Sequence, residues 1–330
     1  MTFKVAVTNP RGTTLEHERV ALDPIDAELT PVYAEDEASY INQVADADAI
    51  IAGLKVRVSA NVIANLKQCK IIQATGIGVD RIDVDAATAA GIPVVNVPDV
   101  FTEEVADQAF ALLLAVNRKV VYCAEMTRSG RWAQAMSGMG GTPKISGKTL
   151  GLVAFGNIAK AVARRAKGFN LKILAYDPFV TPEDMAALGV ESASLERVFQ
   201  ESDFVSAHAP HSKATHHILN KALFDQMKPS AIFINTGRGP VVDEEGLIAA
   251  LREGKLAGAG LDVLEQEPPD PKNPLLSMQN VTVTPHVAAQ SNESNVARRQ
   301  RHGEEIAAVL TGKRPKNCVN REVLERLPLV

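Results

Sequence analysis

The chain has 330 residues, of which 46% are apolar and 22% are charged, and its formal net charge is −4. Because single hydrophobic cores stop growing at about 250–300 residues, this length predicts two domains. The small acidic surplus offers no basic surface to nucleic acid or to anionic lipid. Three scattered cysteines are too few for a disulfide framework or a zinc site, and the first residues lack an apolar signal segment. We therefore expect a cytoplasmic protein with no metal, no membrane contact and no nucleic-acid partner.

Short apolar runs alternate with amphipathic stretches over roughly the first hundred residues. The runs FKVAVT, DAIIAG, KIIQAT and IPVVNV are typical of buried parallel strands. Helical patterns such as EASYINQVA and SANVIANL lie between them. We expect residues 1–100 to form a small β/α domain.

One long helical pattern, TEEVADQAFALLLAVNRKVVYCAEM, follows at Thr102 and predicts a single helix. The alternation then restarts with six strand candidates, TLGLVAF, LKILAYD, DFVSAHA, AIFINTG, GAGLDV and NVTVTPH. A second doubly wound sheet over residues 101–292 is the natural prediction. The amphipathic tail is expected to return to the first sheet, so that residues 1–100 and 293–330 form one domain. The predicted fold class is α/β, with two doubly wound parallel-sheet domains.

The stretch GLVAFGNIAKAVARR, Gly151–Arg165, has the strand, turn and helix of a dinucleotide-binding motif. The usual G-x-G-x-x-G would place glycines at 154, 156 and 159, but only Gly156 is present, and Ala154 and Ala159 fill the other places. Gly156 stands where the backbone approaches a pyrophosphate, and the third glycine permits close helix–strand packing. Ala154 narrows the backbone choices of the turn, so the motif alone leaves cofactor binding open.

A carboxylate supports the nucleotide interpretation. The strand LKILAYDP ends at Asp177, about twenty residues after the turn, where an acidic residue accepts hydrogen bonds from adenosine ribose hydroxyls. Such a carboxylate repels a 2′-phosphate, and no Arg or Lys follows in DPFVTPED. We therefore expect NAD rather than NADP.

The sequence resembles the NAD-dependent D-2-hydroxyacid dehydrogenases over nearly its whole length. The motifs that carry the resemblance are ATGIGVDRIDVDAA, TEEVADQAFALLLA, GKTLGLVAFGNIAKAVARRAKGF, INTGRGPVVDEEGLIAAL, LDVLEQEPP and VTPHVAA. Within that family, the chain is most similar to the branch of C-terminal binding proteins and phosphoglycerate dehydrogenase-like enzymes. The resemblance implies a Rossmann-type NAD domain at 101–292 and a smaller, flavodoxin-like substrate domain.

Three residues are the expected catalytic groups. Arg238, in NTGRG, follows a strand, and its planar guanidinium suits a substrate carboxylate. His286, in VTPHVAA, matches the family's proton donor, and imidazole titrates near neutrality. Glu267, in EQEPP, matches the acid that pairs with this histidine, with Glu265 as its rival. Glu267 is preferred because the family's glutamate directly precedes the proline.

The resemblance also implies residues that contact the cofactor and the substrate. Backbone at the start of the helix would bind the pyrophosphate, and an aspartate would bind the nicotinamide carboxamide. Further residues would border the nicotinamide ring or pass beside the cofactor, and two backbone amides in TGIGVD would bind the substrate carboxylate. The pyrophosphate contacts are Asn157 and Ile158, and the carboxamide contact is Asp262. Thr236 and Gly237 would border the nicotinamide ring, and His208 and Pro210 would pass beside the cofactor. The two backbone amides for the substrate carboxylate are those of Ile77 and Gly78.

The continuation after the first-domain strand DAIIA contains two cations, Lys55 and Arg57. They stand near the place where the family contacts the far end of the substrate. One interpretation is that one of them binds an anionic or polyhydroxylated tail, with Lys55 as the expected contact. The alternative is that both side chains are simply solvated.

The predicted function is hydride transfer between NADH and C2 of a small 2-keto acid, such as glyoxylate, hydroxypyruvate or a sugar-derived keto acid. One alternative is an NADH-sensing scaffold like the C-terminal binding proteins, and another is a phosphoglycerate dehydrogenase. The AFALLLAV stripe is too apolar for a free surface. It fits either the homodimer common in the family or a helix buried within its own domain.

Overall fold

The computed structural model describes residues 2–10, 14–53 and 55–330. The chain divides into two compact units, Met1–Phe101 with Ser291–Val330, and Thr102–Gln290. Each unit contains one parallel sheet covered by helices. Within the described ranges, no helix is both long and apolar enough to cross a membrane.

Twelve strands and thirteen α-helices are assigned in the described residues. In chain order they are β1 (Phe3–Thr8), α1 (Glu16–Leu22), β2 (Ala27–Val32), α2 (Glu37–Val44), β3 (Ala49–Ala52), α3 (Ala60–Ala64), β4 (Ile71–Ala74), α4 (Val84–Ala89), β5 (Val94–Val95), α5 (Thr102–Asn117), α6 (Val120–Arg128), α7 (Trp132–Ser137), β6 (Thr149–Val153), α8 (Asn157–Gly168), β7 (Lys172–Tyr176), α9 (Pro182–Ala187), β8 (Glu191–Ser192), α10 (Leu195–Glu201), β9 (Phe204–Ala207), α11 (Lys221–Phe224), β10 (Ile232–Asn235), α12 (Glu244–Arg252), β11 (Gly258–Leu261), β12 (Val281–Val283) and α13 (Asn292–Leu310).

The first unit is a five-stranded parallel sheet with the order β2-β1-β3-β4-β5. This is the strand order of flavodoxin-like doubly wound folds, which confirms the predicted fold class for this part. Helix α13 begins with a capping box at Ser291, and its side chains Ile306 and Val309 pack with Val5 and Ile51 on one face of the sheet. The helix of the tail therefore completes the cover of the first sheet.

The second unit is a seven-stranded parallel sheet with the order β12-β11-β10-β9-β6-β7-β8. Strand β6 pairs with both β7 and β9, so the order reverses between β6 and β9. In open α/β sheets, ligands bind outside the carboxyl ends of the strands at such a switch point. All six strands predicted for this sheet are present.

Two edge strands were not predicted. Strand β2 reads AELTPV, and Pro31 is tolerated there because an edge strand need not donate every backbone N–H to the sheet. Strand β8 has only two residues, Glu191–Ser192, with no apolar run to reveal it. Neither strand has the continuous apolar run that predicted the other strands, and each joins its sheet by pairing with β1 or β7.

The prediction of one continuous helix from Thr102 is wrong. Helix α5 ends at Asn117 and α6 starts at Val120. Lys119 between them has φ 51°, a left-handed conformation that no α-helix can contain. The Lys119 ammonium donates hydrogen bonds to the carbonyl oxygens of Gly138 and Gly140 at 2.8 and 3.0 Å. This tertiary contact ends the helix at a place where local propensity would continue it.

Candidate active site

The glycine-poor turn lies at the switch point of the second sheet, directly after β6. Ala154 has φ 70°, so an alanine occupies the left-handed conformation that glycine adopts at no cost. Gly156 precedes α8, and a Cβ at this position would have no neighbour within 4 Å. Ala159 is fully buried in the core of the unit. The turn therefore has the open backbone of a dinucleotide site, although Ala154 stands in a strained conformation.

Asp177 follows β7 and faces that turn. Its Oδ2 accepts a hydrogen bond from the backbone N–H of Phe155, and its Oδ1 accepts one from Phe179, both at 2.8 Å. A carboxylate has about four acceptor positions, so each oxygen retains capacity for a hydroxyl donor. The first bond fixes the carboxylate beside the turn, where a ribose can reach it.

The residues around the switch point fit NAD. The first residues of α8, Asn157 and Ile158, present backbone N–H groups without intrahelical partners, and Gly156 supplies no side-chain cap. Two buried polar atoms without a hydrogen-bond partner lie at the neighbouring strand ends, Nδ1 of His208 after β9 and Oγ1 of Thr236 after β10. Open backbone and unsatisfied buried polar atoms on one edge of the sheet are what a bound dinucleotide would cover.

Two further predicted cofactor contacts belong to the same loops. Pro210 follows β9, is exposed, and accepts a hydrogen bond from the hydroxyl of Thr215 at 2.6 Å. Gly237 follows β10, and a Cβ there would lie 3.3 Å from the carbonyl oxygens of Ala207 and Ala209. The two loops are thus packed closely against each other.

Hydrogen bonds to its own backbone groups and one close backbone contact hold the Arg238 loop in place. The Asn235 side chain donates to the Arg238 carbonyl at 3.1 Å and accepts from the Gly237 N–H at 3.0 Å. The Arg238 guanidinium donates to the Gly237 carbonyl at 2.8 Å. A Cβ at Gly239 would lie 1.8 Å from the carbonyl oxygen of Leu264, so only glycine fits this contact. The contact places the Arg238 loop against the segment that carries Glu267.

His286 and Glu267 form a hydrogen-bonded pair. His286 Nδ1 lies 2.7 Å from Glu267 Oε2, and the second carboxylate oxygen accepts from the Leu264 N–H at 3.1 Å. The rival glutamate, Glu265, instead contacts His217 Nε2 at 2.6 Å. Because Nδ1 is engaged, Nε2 of His286 is the nitrogen that can donate a proton to a substrate.

Asp262 holds the loop that carries the histidine. Its carboxylate, on a residue that is 1% exposed, accepts from the Thr284 hydroxyl at 2.5 Å and from the N–H groups of Val287 and Ala288 at 3.0 and 2.8 Å. Its backbone carbonyl accepts from the His286 N–H at 2.8 Å. The resemblance predicts Asp262 as a nicotinamide contact, whereas no sequence motif indicates this second role.

Charge and burial set the protonation states of two site residues. Burial alone would raise the pKa of Glu267, but the hydrogen bond and charge of His286, the Leu264 N–H and the charge of Arg238 together lower it below the ordinary value. Burial lowers the pKa of His208 to about 4. Part of the His208 residue is accessible, but its Nδ1 is buried without a hydrogen-bond partner. Glu267 is therefore ionised and His208 neutral at physiological pH.

The predicted substrate contacts outside this cluster lie in the first unit. Ile77 and Gly78 follow β4 and are half-buried, and the Ile77 carbonyl accepts from the Asn96 side chain at 2.7 Å. Lys55 forms an ion pair with Glu35. Arg57 is exposed. The sequence did not indicate that Lys55 has a carboxylate partner within its own unit.

The comparisons with known proteins show the family of the chain. The family profile described as "D-isomer specific 2-hydroxyacid dehydrogenase, NAD binding domain" matches residues 110–288. Glyoxylate reductase of Korarchaeum cryptofilum is 41% identical over 319 residues, which cover 96% of this chain and 95% of that protein. Glyoxylate reductase of Pyrococcus furiosus is 42% identical over 291 residues, or 86% of each chain. D-lactate dehydrogenase from Aquifex aeolicus, in complex with NAD and lactic acid, superposes with a TM-score of 0.84 at 27% identity and covers 98% of both chains.

A Rossmann-type unit that matches this NAD-binding profile is that of a 2-hydroxyacid oxidoreductase. The chain belongs to the D-isomer specific 2-hydroxyacid dehydrogenase family. It is an NAD-dependent oxidoreductase acting on the CH–OH group, and it works as a 2-keto acid reductase.

Proposed function

We propose that the protein reduces glyoxylate and similarly small 2-keto acids, with NADH as the donor. The observation that carries this proposal is the pairing of His286 with Glu267 at 2.7 Å in the charge field of Arg238. The glyoxylate reductases described above, at 41% and 42% identity, support the choice of a small keto acid.

The catalytic roles follow from the chemistry of the side chains. Bound NADH would supply the hydride that reaches the carbonyl carbon. The Arg238 guanidinium would bind the substrate carboxylate through two parallel N–H donors and would polarise the adjacent carbonyl. His286 would give the proton on Nε2 to the carbonyl oxygen, so that glyoxylate becomes glycolate, and would regain a proton from solvent. Glu267 would hold the imidazole orientation through Nδ1.

The cofactor roles are proposed in the same terms. Gly156, Asn157 and Ile158 would accommodate the pyrophosphate, and Asp177 would bind the ribose hydroxyls. A carboxylate beside the ribose disfavours the 2′-phosphate of NADPH. Among the other proposed contacts, the ones near the nicotinamide are Thr236, Gly237 and Asp262, and those beside the dinucleotide are His208 and Pro210.

In the first unit, we propose that the backbone N–H groups of Ile77 and Gly78 bind the substrate carboxylate. Lys55 is proposed as a contact for longer, anionic substrates. It would have to exchange its ion pair with Glu35 for the substrate, and exposed pairs of this kind contribute only about 0–1 kcal/mol.

The test is NADH oxidation, followed by absorbance, against glyoxylate, hydroxypyruvate, pyruvate and longer keto acids, with NADPH in parallel. We expect turnover with NADH and glyoxylate, and we expect Arg238→Ala and His286→Ala each to lower kcat/KM by about 10²–10⁴-fold. NADH binding without turnover on any keto acid would overturn the proposal.

We also propose a homodimer, although not through the stripe that first suggested it. Phe110, Leu112 and Leu113 of that stripe are buried in the core of their own unit. Exposed apolar side chains are present instead on the next two helices, with Val120 on α6 52% exposed and Trp132 and Met136 on α7 66% and 68% exposed. A light-scattering mass near 35.3 kDa, that of one chain, would contradict the dimer.

A cytoplasmic location is proposed from the three cysteines, all of which are free thiols. Fractionation of cells that express the protein would test this location.

A further inference from the structure

We propose that Gln108 and Thr284 are positioning residues for His286, and that they act through the buried carboxylate of Asp262. The inference rests on the proposed catalytic role of His286. Neither Gln108 nor Thr284 belongs to the predicted cofactor or substrate contacts.

Gln108, Thr284 and Asp262 form a hydrogen-bond chain whose direction is fixed. The Gln108 side-chain Nε2 lies 3.0 Å from the Thr284 hydroxyl oxygen, which lies 2.5 Å from Asp262 Oδ1. An amide nitrogen can only donate, so the hydroxyl accepts from Gln108 and its single proton points to the carboxylate. A hydroxyl donor to a carboxylate is a charge-assisted bond, about twice as strong as a neutral one.

Asp262 receives hydrogen bonds from residues on both sides of His286. Thr284 precedes the histidine, and the N–H groups of Val287 and Ala288 follow it. His286 itself has φ 53°, a left-handed conformation that costs a non-glycine residue about 1–2 kcal/mol. Such a conformation persists only where its surroundings impose it, and the Asp262 carboxylate is the group that ties the two flanks together.

Gln108, the first residue of the hydrogen-bond chain, lies on a helix that packs against the central sheet of its unit. Gln108 is one turn before Leu112 on α5, and a Cβ at Gly260 would lie 2.8 Å from the Leu112 Cβ. Helix α5 therefore lies directly against β11, the strand that leads into Asp262. The helix can hold the Gln108 amide at a constant distance from the histidine loop.

The same helix is also fixed to the nucleotide helix α8. Glu103 contacts Arg164 at 2.6 Å, and Asp107 contacts Arg165 at 2.7 Å. Gln108 directly follows Asp107. Helix α5 thus contacts α8, whose start is the proposed pyrophosphate site, and through Gln108 and Thr284 it reaches the histidine loop.

The experiment removes the hydroxyl without changing the shape of the side chain. Thr284→Val is expected to lower kcat with NADH and glyoxylate about tenfold, because a proton donor displaced by a fraction of an ångström loses its alignment. KM for glyoxylate should change less than about twofold, since Arg238 is untouched. Thr284→Ser, which keeps the hydroxyl, should restore most of kcat.

Gln108→Met is expected to lower kcat by a smaller factor, about threefold. Asp262 keeps its hydrogen bond from the Thr284 hydroxyl, but that hydroxyl loses the Gln108 amide that orients it. In the double variant, the two losses should not multiply, because both act on one chain. The matched control is Thr282→Val, the same chemical change on β12 at a residue outside the hydrogen-bond chain, for which we expect unchanged kcat.

Wild-type kcat in Thr284→Val would overturn the inference, and so would a loss that Thr284→Ser fails to restore. Either result leaves the proposed function intact as long as the wild type reduces glyoxylate with NADH and His286→Ala does so far more slowly. Full activity of His286→Ala would remove the proposed role of His286, and NADH binding without turnover by the wild type would remove the proposed function, so the failures are distinguishable.

Discussion

Gly239 lies so close to Leu264 that a Cβ on the glycine would stand 1.8 Å from the Leu264 carbonyl oxygen. This contact joins the loop of Arg238 to the segment that ends in Glu267. The position of Arg238 relative to Glu267 is therefore set by contact between two backbones rather than between flexible side chains. That contact requires a glycine at position 239.

The first prediction follows from that contact. Gly239→Ala must displace one of two backbones, so we expect it to lower the free energy of unfolding by more than about 2 kcal/mol and kcat/KM by more than about tenfold. Urea unfolding and NADH oxidation would measure the two effects. The control is Gly168→Ala at the end of α8, which has open space around its Cβ, so that it should leave kcat/KM unchanged and should not lower the free energy of unfolding. An active, stable Gly239→Ala would contradict the prediction.

A second prediction concerns the pH dependence of the Glu267–His286 pair. The folded protein holds the pKa of Glu267 below its ordinary value of 4.5, so the Glu267 carboxylate is ionised above that value and becomes protonated only as the pH falls through the lowered pKa. We expect kcat/KM to show no acid limb from Glu267 between about pH 7 and about pH 5.

Glu267→Gln should lower kcat/KM roughly 10²-fold at neutral pH, because an uncharged amide orients and stabilises the imidazolium less well. The matched control is Glu265→Gln, since Glu265 contacts His217 instead of His286. Equal losses in the two variants would show that the pairing of Glu267 with His286 has no special catalytic effect.

The sequence predicted both sheets because most of their buried parallel strands appear as apolar runs. It predicted Arg238 and His286 because each comes soon after a strand in a family motif, and Glu267 because it precedes the proline in EQEPP. The failures are of another kind. The helix break at Lys119 depends on the carbonyl groups of Gly138 and Gly140. The bond from Gln108 to Thr284 joins residues 176 positions apart. Contacts between residues so far apart leave no local pattern, so only the folded chain reveals them.

A third prediction separates the two unusual positions of the nucleotide turn. Ala154 has φ 70°, so Ala154→Gly removes left-handed strain and adds chain entropy to the unfolded state. We expect a net stabilisation of about 0.5–1 kcal/mol and NADH binding at least as tight as in the wild type.

Gly156→Ala should weaken NADH binding and leave the stability of the protein unchanged. No protein atom lies within 4 Å of the added Cβ, and φ is −78°, so stability should stay within about 0.5 kcal/mol of the wild type. The methyl group would occupy the proposed place of the pyrophosphate, so the Kd for NADH should rise more than about tenfold. Fluorescence titration with NADH would measure it, and unchanged affinity would argue against a pyrophosphate at this turn.

The fourth prediction concerns His302 on α13, a residue that is 2% exposed and whose two ring nitrogens are buried without a hydrogen-bond partner. The Thr75 backbone faces the ring without forming a hydrogen bond of ordinary geometry. Burial, with the charges of Arg298 and Arg299, lowers the pKa of His302 from 6.5 to about 3. Between these two values, the unfolded chain binds a proton that the folded protein does not, so stability falls as the pH drops through this window.

His302→Leu fills a similar volume and removes the titrating group. The wild type should lose up to about 2 kcal/mol more than this variant when the pH is lowered from about 7.5 to about 5, and the variant should be at least as stable at neutral pH. Urea unfolding at the two pH values measures the difference, and His17→Leu, a more accessible histidine of the same unit, is the control. If the two variants show the same pH dependence as the wild type, the buried His302 does not set the acid sensitivity of the first unit, and the carboxylates that lose their ion pairs must account for it.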